Sequence, residues 1–133
     1  MTVPAVLFLC IHNAGRSQMA LGWFEHLADG RAIAFSGGSE PAAAVNPAAV
    51  AAMAEVGIDI ARRTPRRWSH SDLDAADVVV TMGCGDTCPS IPGKRYEDWK
   101  LDDPAGQDLA AVRPIRDDIE QRVRELLNGL VGA

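Results

Sequence analysis

The run Pro4-Ala5-Val6-Leu7-Phe8-Leu9-Cys10 is apolar almost without a break. A strand that faces water on one side alternates apolar and polar residues; one that does not alternate is covered on both faces. Asp77–Met82 repeats the pattern through Val78-Val79-Val80. Strands of this kind belong to parallel sheets, whose crossover helices supply the cover. The segments between them fit. From Arg16 to Ala28, the residues Met19, Ala20, Trp23, Phe24 and Leu27 recur at helical spacing. Residues 31–36 read as a second strand, stopped by Gly37-Gly38. Asn46-Pro47 reads as a helix start, Asn as N-cap and Pro at the first position, with Gly57 closing the helix. Residues 71–76 suit one helical turn, and residues 94–99 a short fourth strand. A last helix is expected from near Pro114, with Ile115, Ile119, Val123, Leu126, Leu127 and Leu130 on one face.

With 133 residues the chain is expected to form one domain, residues 1–133, large enough for a real core. No apolar run approaches the ~18 residues of a membrane span. No signal peptide is visible, so a cytoplasmic protein is expected. The net charge of -5 argues against broad nucleic-acid binding. Arg62, Arg63, Arg66 and Arg67 read as a solvated loop or a partner-facing surface. The three cysteines, one alone and one pair, Cys84-x3-Cys88, suit thiol chemistry better than structural disulfides.

Cys10 ends the first strand and Arg16-Ser17 opens the first helix. This Cys-x5-Arg-Ser spacing places a sulfur at the base of a loop, Ile11-His12-Asn13-Ala14-Gly15, whose N–H groups can surround a tetrahedral oxyanion. The positive end of the helix, the Arg16 charge and a Ser17 hydrogen bond all favour a thiolate. Arg16 also offers two parallel donors to the anion. Asn13 is expected to brace the loop. His12 reads as a loop residue rather than a base, because an ionised thiolate needs none. The plain alternative is a buried cysteine at a strand end.

In a doubly wound sheet of order 2-1-3-4, ligands bind at the carboxyl ends of the strands, where the order reverses. Cys84 follows strand 3 closely, and adjacent strands lie about 4.8 Å apart, so the two thiols can approach. Asp102-Asp103-Pro104 follows strand 4 at the same edge.

Residues 6–20, Val-Leu-Phe-Leu-Cys-Ile-His-Asn-Ala-Gly-Arg-Ser-Gln-Met-Ala, resemble the active-site segment of the thioredoxin-coupled arsenate reductases, which share the low-molecular-weight protein tyrosine phosphatase fold. The resemblance continues through Asn46-Pro47, Val56-Gly57-Ile58-Asp59-Ile60, Val79-Val80-Thr81-Met82 and Trp99-x3-Asp103-Pro104. With the strand pattern, it implies a three-layer α/β/α domain around a four-stranded parallel sheet of order 2-1-3-4. It also implies a relay in which Cys10 attacks arsenate and Asp103 protonates the departing oxygen. Cys84 then attacks the Cys10 sulfur and releases arsenite, and Cys88 resolves the bond to a Cys84–Cys88 disulfide. An external thiol reductant, thioredoxin or a glutaredoxin-like partner, reopens it. No bound cofactor or metal is implied. The partners expected are arsenate, with phosphate or sulfate fitting the same loop, and the reductant. No nucleic acid or membrane is expected, and the chain is expected to be a monomer.

The alternative is a low-molecular-weight phosphatase working through a Cys10 phosphoenzyme, which needs no further thiols. Three departures weigh against it: Gln18 stands where phosphatases carry proline, Ala105-Gly106 replaces their paired tyrosines, and Tyr96 is the only tyrosine. A third class is a redox sensor using the same thiols. Zinc would need a fourth ligand beyond the cysteines. The x3 spacing is shorter than the x6 of some reductases, and Leu21 replaces a glutamate that helps bind potassium in others, so no ordered potassium site is expected. Gly83 and Gly85 beside Cys84, and Pro89 after Cys88, suit a segment that changes conformation.

Overall fold

The structure is a computed structural model and describes residues 3–83 and 93–132. The expectations about Cys84, Cys88 and the turn between them lie outside the described residues.

Four strands, β1 (Ala5–Cys10), β2 (Ile33–Gly38), β3 (Val78–Thr81) and β4 (Arg95–Asp98), form one sheet of order β2-β1-β3-β4. Every pairing is parallel, with Leu7 opposite Phe35 on one side and Val79 on the other. The helices are α1 (Arg16–Ala28), α2 (Pro47–Ala54), α3 (His70–Ala75) and α4 (Leu109–Val131). β1 lies in the middle of the sheet, and all six of its residues are buried. The unbroken apolar run has the two-sided cover it requires.

Alternation along the strands divides the core in two. Val6, Phe8, Cys10, Val78, Val80 and Met82 enter one large cluster with side chains of α1, α2 and α4. Phe8 packs edge-on against Phe24 at 5.7 Å between ring centres. Leu7, Leu9 and Val79 enter a small cluster closed by Leu73 and Ala76 at α3, with Trp68 and Tyr96 packed against it.

Two elements depart furthest from expectation: β2 spans Ile33–Gly38 rather than residues 31–36, and α4 starts ahead of Pro114. β2 runs on through Gly37 and Gly38 rather than stopping before them. Those glycines allow close approach: a β-carbon on Gly38 would stand 2.5 Å from the Ile11 carbonyl oxygen, and one on Gly37 would stand 2.9 Å from the Trp68 backbone. α4 starts at Leu109, with Pro114 inside it. The Asp108 carboxylate accepts the Ala111 N–H at 2.9 Å, and this cap starts the helix ahead of the proline. Pro114 then forgoes a single backbone bond near the helix start.

Candidate active site

Cys10 is the last residue of β1 and Arg16 the first of α1, so the intervening loop turns at the carboxyl edge of the sheet. Asn13 takes a left-handed conformation there, φ 49°, which asparagine tolerates better than most residues. Its N–H donates to Cys10 Sγ at 3.2 Å. Ser17 Oγ lies 2.9 Å from the same sulfur.

The direction of the Ser17 bond follows from its neighbours. The Arg66 N–H, which can only donate, reaches Asn13 Oδ1 at 3.0 Å. That fixes the Asn13 amide, whose Nδ2 donates to Ser17 Oγ at 2.7 Å. The Ser17 hydrogen is then left for the sulfur. Gln18 Nε2 completes the brace with bonds to Asn13 O at 3.0 Å and Oδ1 at 3.1 Å. Asn13 and Ser17 are fully buried.

The loop carbonyls are tied from outside. Glu40 N–H donates to Ile11 O at 2.8 Å, Ala42 N–H to His12 O at 3.0 Å, and Asn46 N–H to Ala14 O at 2.9 Å. A trans peptide sets its N–H opposite its C=O, so the N–H groups of His12, Asn13 and Gly15 turn toward the inside of the loop. The Asn13 bond to Sγ follows that direction. No side chain caps α1, whose N-cap is Gly15. Loop and helix end together have the arrangement of donors that a cradle for an anion needs, with the sulfur in its floor.

A pocket over this cradle is lined by Cys10, His12, Ala14, Gly15, Arg16, Asn46, Asp103, Pro104 and Ala105. Arg16 Nη2 stands 3.6 Å from Asp103 Oδ2; the Arg16 side chain is 8% exposed and that of Asp103 54%, so the carboxyl is open to water. The neighbouring Asp102 is absent from this lining; it lines one pocket with Gly83 and Asp98–Leu101 and shares another with Asp103. The Pro104 ring packs on Gly15, where a β-carbon would stand 2.5 Å from Cγ. A β-carbon on Gly83 would collide with the Arg16 guanidinium. His12 is exposed, and its Nδ1 meets the Glu40 carbonyl oxygen at 2.9 Å. A carbonyl can only accept, so Nδ1 carries the hydrogen. Among the described residues no three His, Cys, Asp or Glu side chains gather as metal ligands.

The arginine cluster is not simply a solvated face. Arg63 pairs with Glu25, and Arg67 Nη1 donates to Ser39 O at 3.0 Å. Arg66 reaches Ser36 O at 2.8 Å and Asp72 Oδ2 at 2.9 Å. Sequence reasoning missed the support that Arg66 and Gln18 give Asn13, and the contact between Asn46 and the Pro104 segment. Only the position of Gln18, directly after Arg16-Ser17, carried a signal.

Residues 5–132 match the family model described as low molecular weight phosphotyrosine protein phosphatase. The chain belongs to that family. Within it, the chain is 42% identical to arsenate reductase 1 of Bacillus cereus, over 90% of this chain and 91% of the relative. It is 39% identical to the glutaredoxin arsenate reductase of a Synechocystis species, over 92% of this chain and 95% of the relative. Among solved structures it superposes on a thioredoxin-dependent arsenate reductase of Corynebacterium glutamicum with a TM-score of 0.82 and 38% identity. That match covers 98% of this chain but 62% of the longer Corynebacterium chain.

Proposed function

We propose that the chain reduces arsenate to arsenite through its three cysteines. The observation that carries this reading is the packing of Gly83 against the Arg16 guanidinium. Cys84 is the next residue in the sequence, and the resemblance gives it the role of the second thiol. A phosphatase has no use for that thiol. The arsenate reductase names of the relatives point the same way.

In this reading the inward N–H groups and Arg16 hold arsenate, and the Cys10 thiolate attacks arsenic. An arsenate oxygen leaves as water with a proton from Asp103. Cys84 then forms a bond to the Cys10 sulfur while the sulfur–arsenic bond breaks. Its electron pair stays on arsenic, which leaves as arsenite. Cys88 displaces Cys10 from Cys84, so the two electrons come from Cys84 and Cys88. An external dithiol of the thioredoxin or glutaredoxin type restores them, as a reducing cytoplasm would allow. The chain needs no bound cofactor for this chemistry.

The test exposes reduced protein to arsenate without any reductant and maps the disulfides by alkylation and mass spectrometry. One arsenite per chain and a Cys84–Cys88 bond are expected. No arsenite, together with rapid aryl-phosphate hydrolysis that survives Cys88→Ser, would establish the phosphatase instead.

A further inference from the structure

Asn46 caps α2, as its place before Pro47 predicts. Its Oδ1 accepts the N–H groups of Ala48 at 2.8 Å and Ala49 at 3.4 Å. Both donors are backbone groups, so the orientation of the amide is fixed. Its Nδ2 therefore faces away from α2, and donates to the Pro104 carbonyl at 3.2 Å. The Asn46 N–H meanwhile holds Ala14 O of the anion loop at 2.9 Å. One residue thus joins the start of α2, the loop that surrounds the sulfur, and the segment that carries Asp103.

Asp103 Oδ2 faces Arg16 Nη2 at 3.6 Å and the Pro104 ring rests on Gly15, but the hydrogen bonds within the segment do not reach beyond it. Asp103 Oδ1 is turned back on the Ala105 N–H at 3.0 Å, and Gln107 N–H meets Pro104 O at 3.0 Å; both bonds are local. Among the described residues, Asn46 supplies the side-chain hydrogen bond that reaches the 102–105 backbone from elsewhere in the chain. It sets the proline whose ring closes on Gly15, one residue after the exposed carboxyl.

We propose that Asn46 is a positioning residue for Asp103: its Nδ2 donor on the Pro104 carbonyl fixes where the carboxyl stands over the Cys10 pocket. The inference rests on the acid role given to Asp103 above. Losing the donor displaces the proton source and leaves the loop amides and Arg16 in place. The chemical step slows while arsenate binding holds.

Serine and aspartate are both strong N-caps, so Asn46→Ser and Asn46→Asp keep α2 capped and remove the donor. The measurement is the single-turnover rate of arsenite formation by the reduced full chain, at a series of arsenate concentrations. Asn46→Ser is expected to slow the limiting rate about three- to tenfold, the loss of one hydrogen bond, with half-saturating arsenate moved by less than about twofold. Asn46→Asp should slow it at least as much and also weaken arsenate binding, because it adds a negative charge to the pocket wall. In an Asp103→Asn background Asn46→Ser should cost nothing further, since its effect passes through a group already removed. An unchanged limiting rate in Asn46→Ser, or losses that multiply in the double variant, would overturn the proposal. If Asp103→Asn alone leaves the rate intact, the acid assignment has failed, and that result is read independently of Asn46.

Discussion

The two faces of the sheet are built on different principles. On one, α1, α2 and α4 bury Val6, Phe8, Val78 and Val80 in a large apolar cluster. On the other, the six-residue α3 covers only Leu7, Leu9 and Val79. The thin face is held by polar bonds. Gly38 N–H donates to Arg66 O at 2.9 Å, and Trp68 N–H to Gly38 O at 3.3 Å, which lays residues 66–68 along the end of β2. Asp72 accepts the Ser69 N–H while Ser69 Oγ accepts that of Asp72, a capping box that starts α3. The same carboxylate takes the Arg66 guanidinium. Apolar burial is strong but non-directional; hydrogen bonds contribute less but fix orientation. The thick face therefore supplies stability, and the thin face supplies the alignment of Asn13 under the sulfur.

Val80 and Val79 test this directly. They are adjacent, equally buried, and point to opposite faces. Val80→Ala is expected to cost about 2–4 kcal/mol, from lost transfer energy and a cavity held open by three helices. Val79→Ala should cost about 1–2 kcal/mol, because a small cluster under a short helix collapses more readily. Urea unfolding of both variants measures the difference. Equal losses would mean that the faces share the load.

The next effect falls on activity. Arg66→Met removes the bonds to Ser36 O and Asp72, the side-chain part of what holds the backbone whose N–H fixes the Asn13 amide. The side chain is 47% exposed, so stability should fall by no more than about 1 kcal/mol. Arsenite formation should slow about threefold or more, with Arg66→Lys recovering part of the loss. A variant that melts early yet turns over normally would reverse the division between the faces.

How much of this could be read beforehand depends on how local the signal was. β1 and β3 announced themselves because a run of apolar residues has one physical explanation in a chain this size. Cys10, Arg16 and Ser17 were legible because their spacing fixes them on one strand–loop–helix turn. The end of β2 was not, since Gly37 and Gly38 look like a stop and act as clearance for Ile11 and Trp68, far away in the chain. The start of α4 lies ahead of the expected one because the Asp108 cap decides it, and Pro114, which suits a first turn, stands inside the helix instead. Arg66 and the second bond of Asn46 left no trace: each is a contact between segments that no local pattern links.

The smallest effect belongs to the junction of α2 and α4 on the thick face. Glu55 meets Arg113 Nη2 at 2.6 Å and Arg116 Nη1 at 2.7 Å. The hydrogen bonds from Arg113 and then Arg116 lower its carboxyl from 4.5 to about 2. A carboxyl with a lowered value in the folded protein favours folding when ionised. Its contribution is complete above about pH 4.5 and fades as pH falls toward about 2. Glu55→Gln should therefore melt below the native protein at pH 7, and the gap should narrow steadily below pH 4.5. Thermal melts of the two proteins across that range isolate the effect, since every other carboxylate is common to both. A gap that stays constant down to pH 3 would show that the ionisation of Glu55 contributes nothing to the thick face.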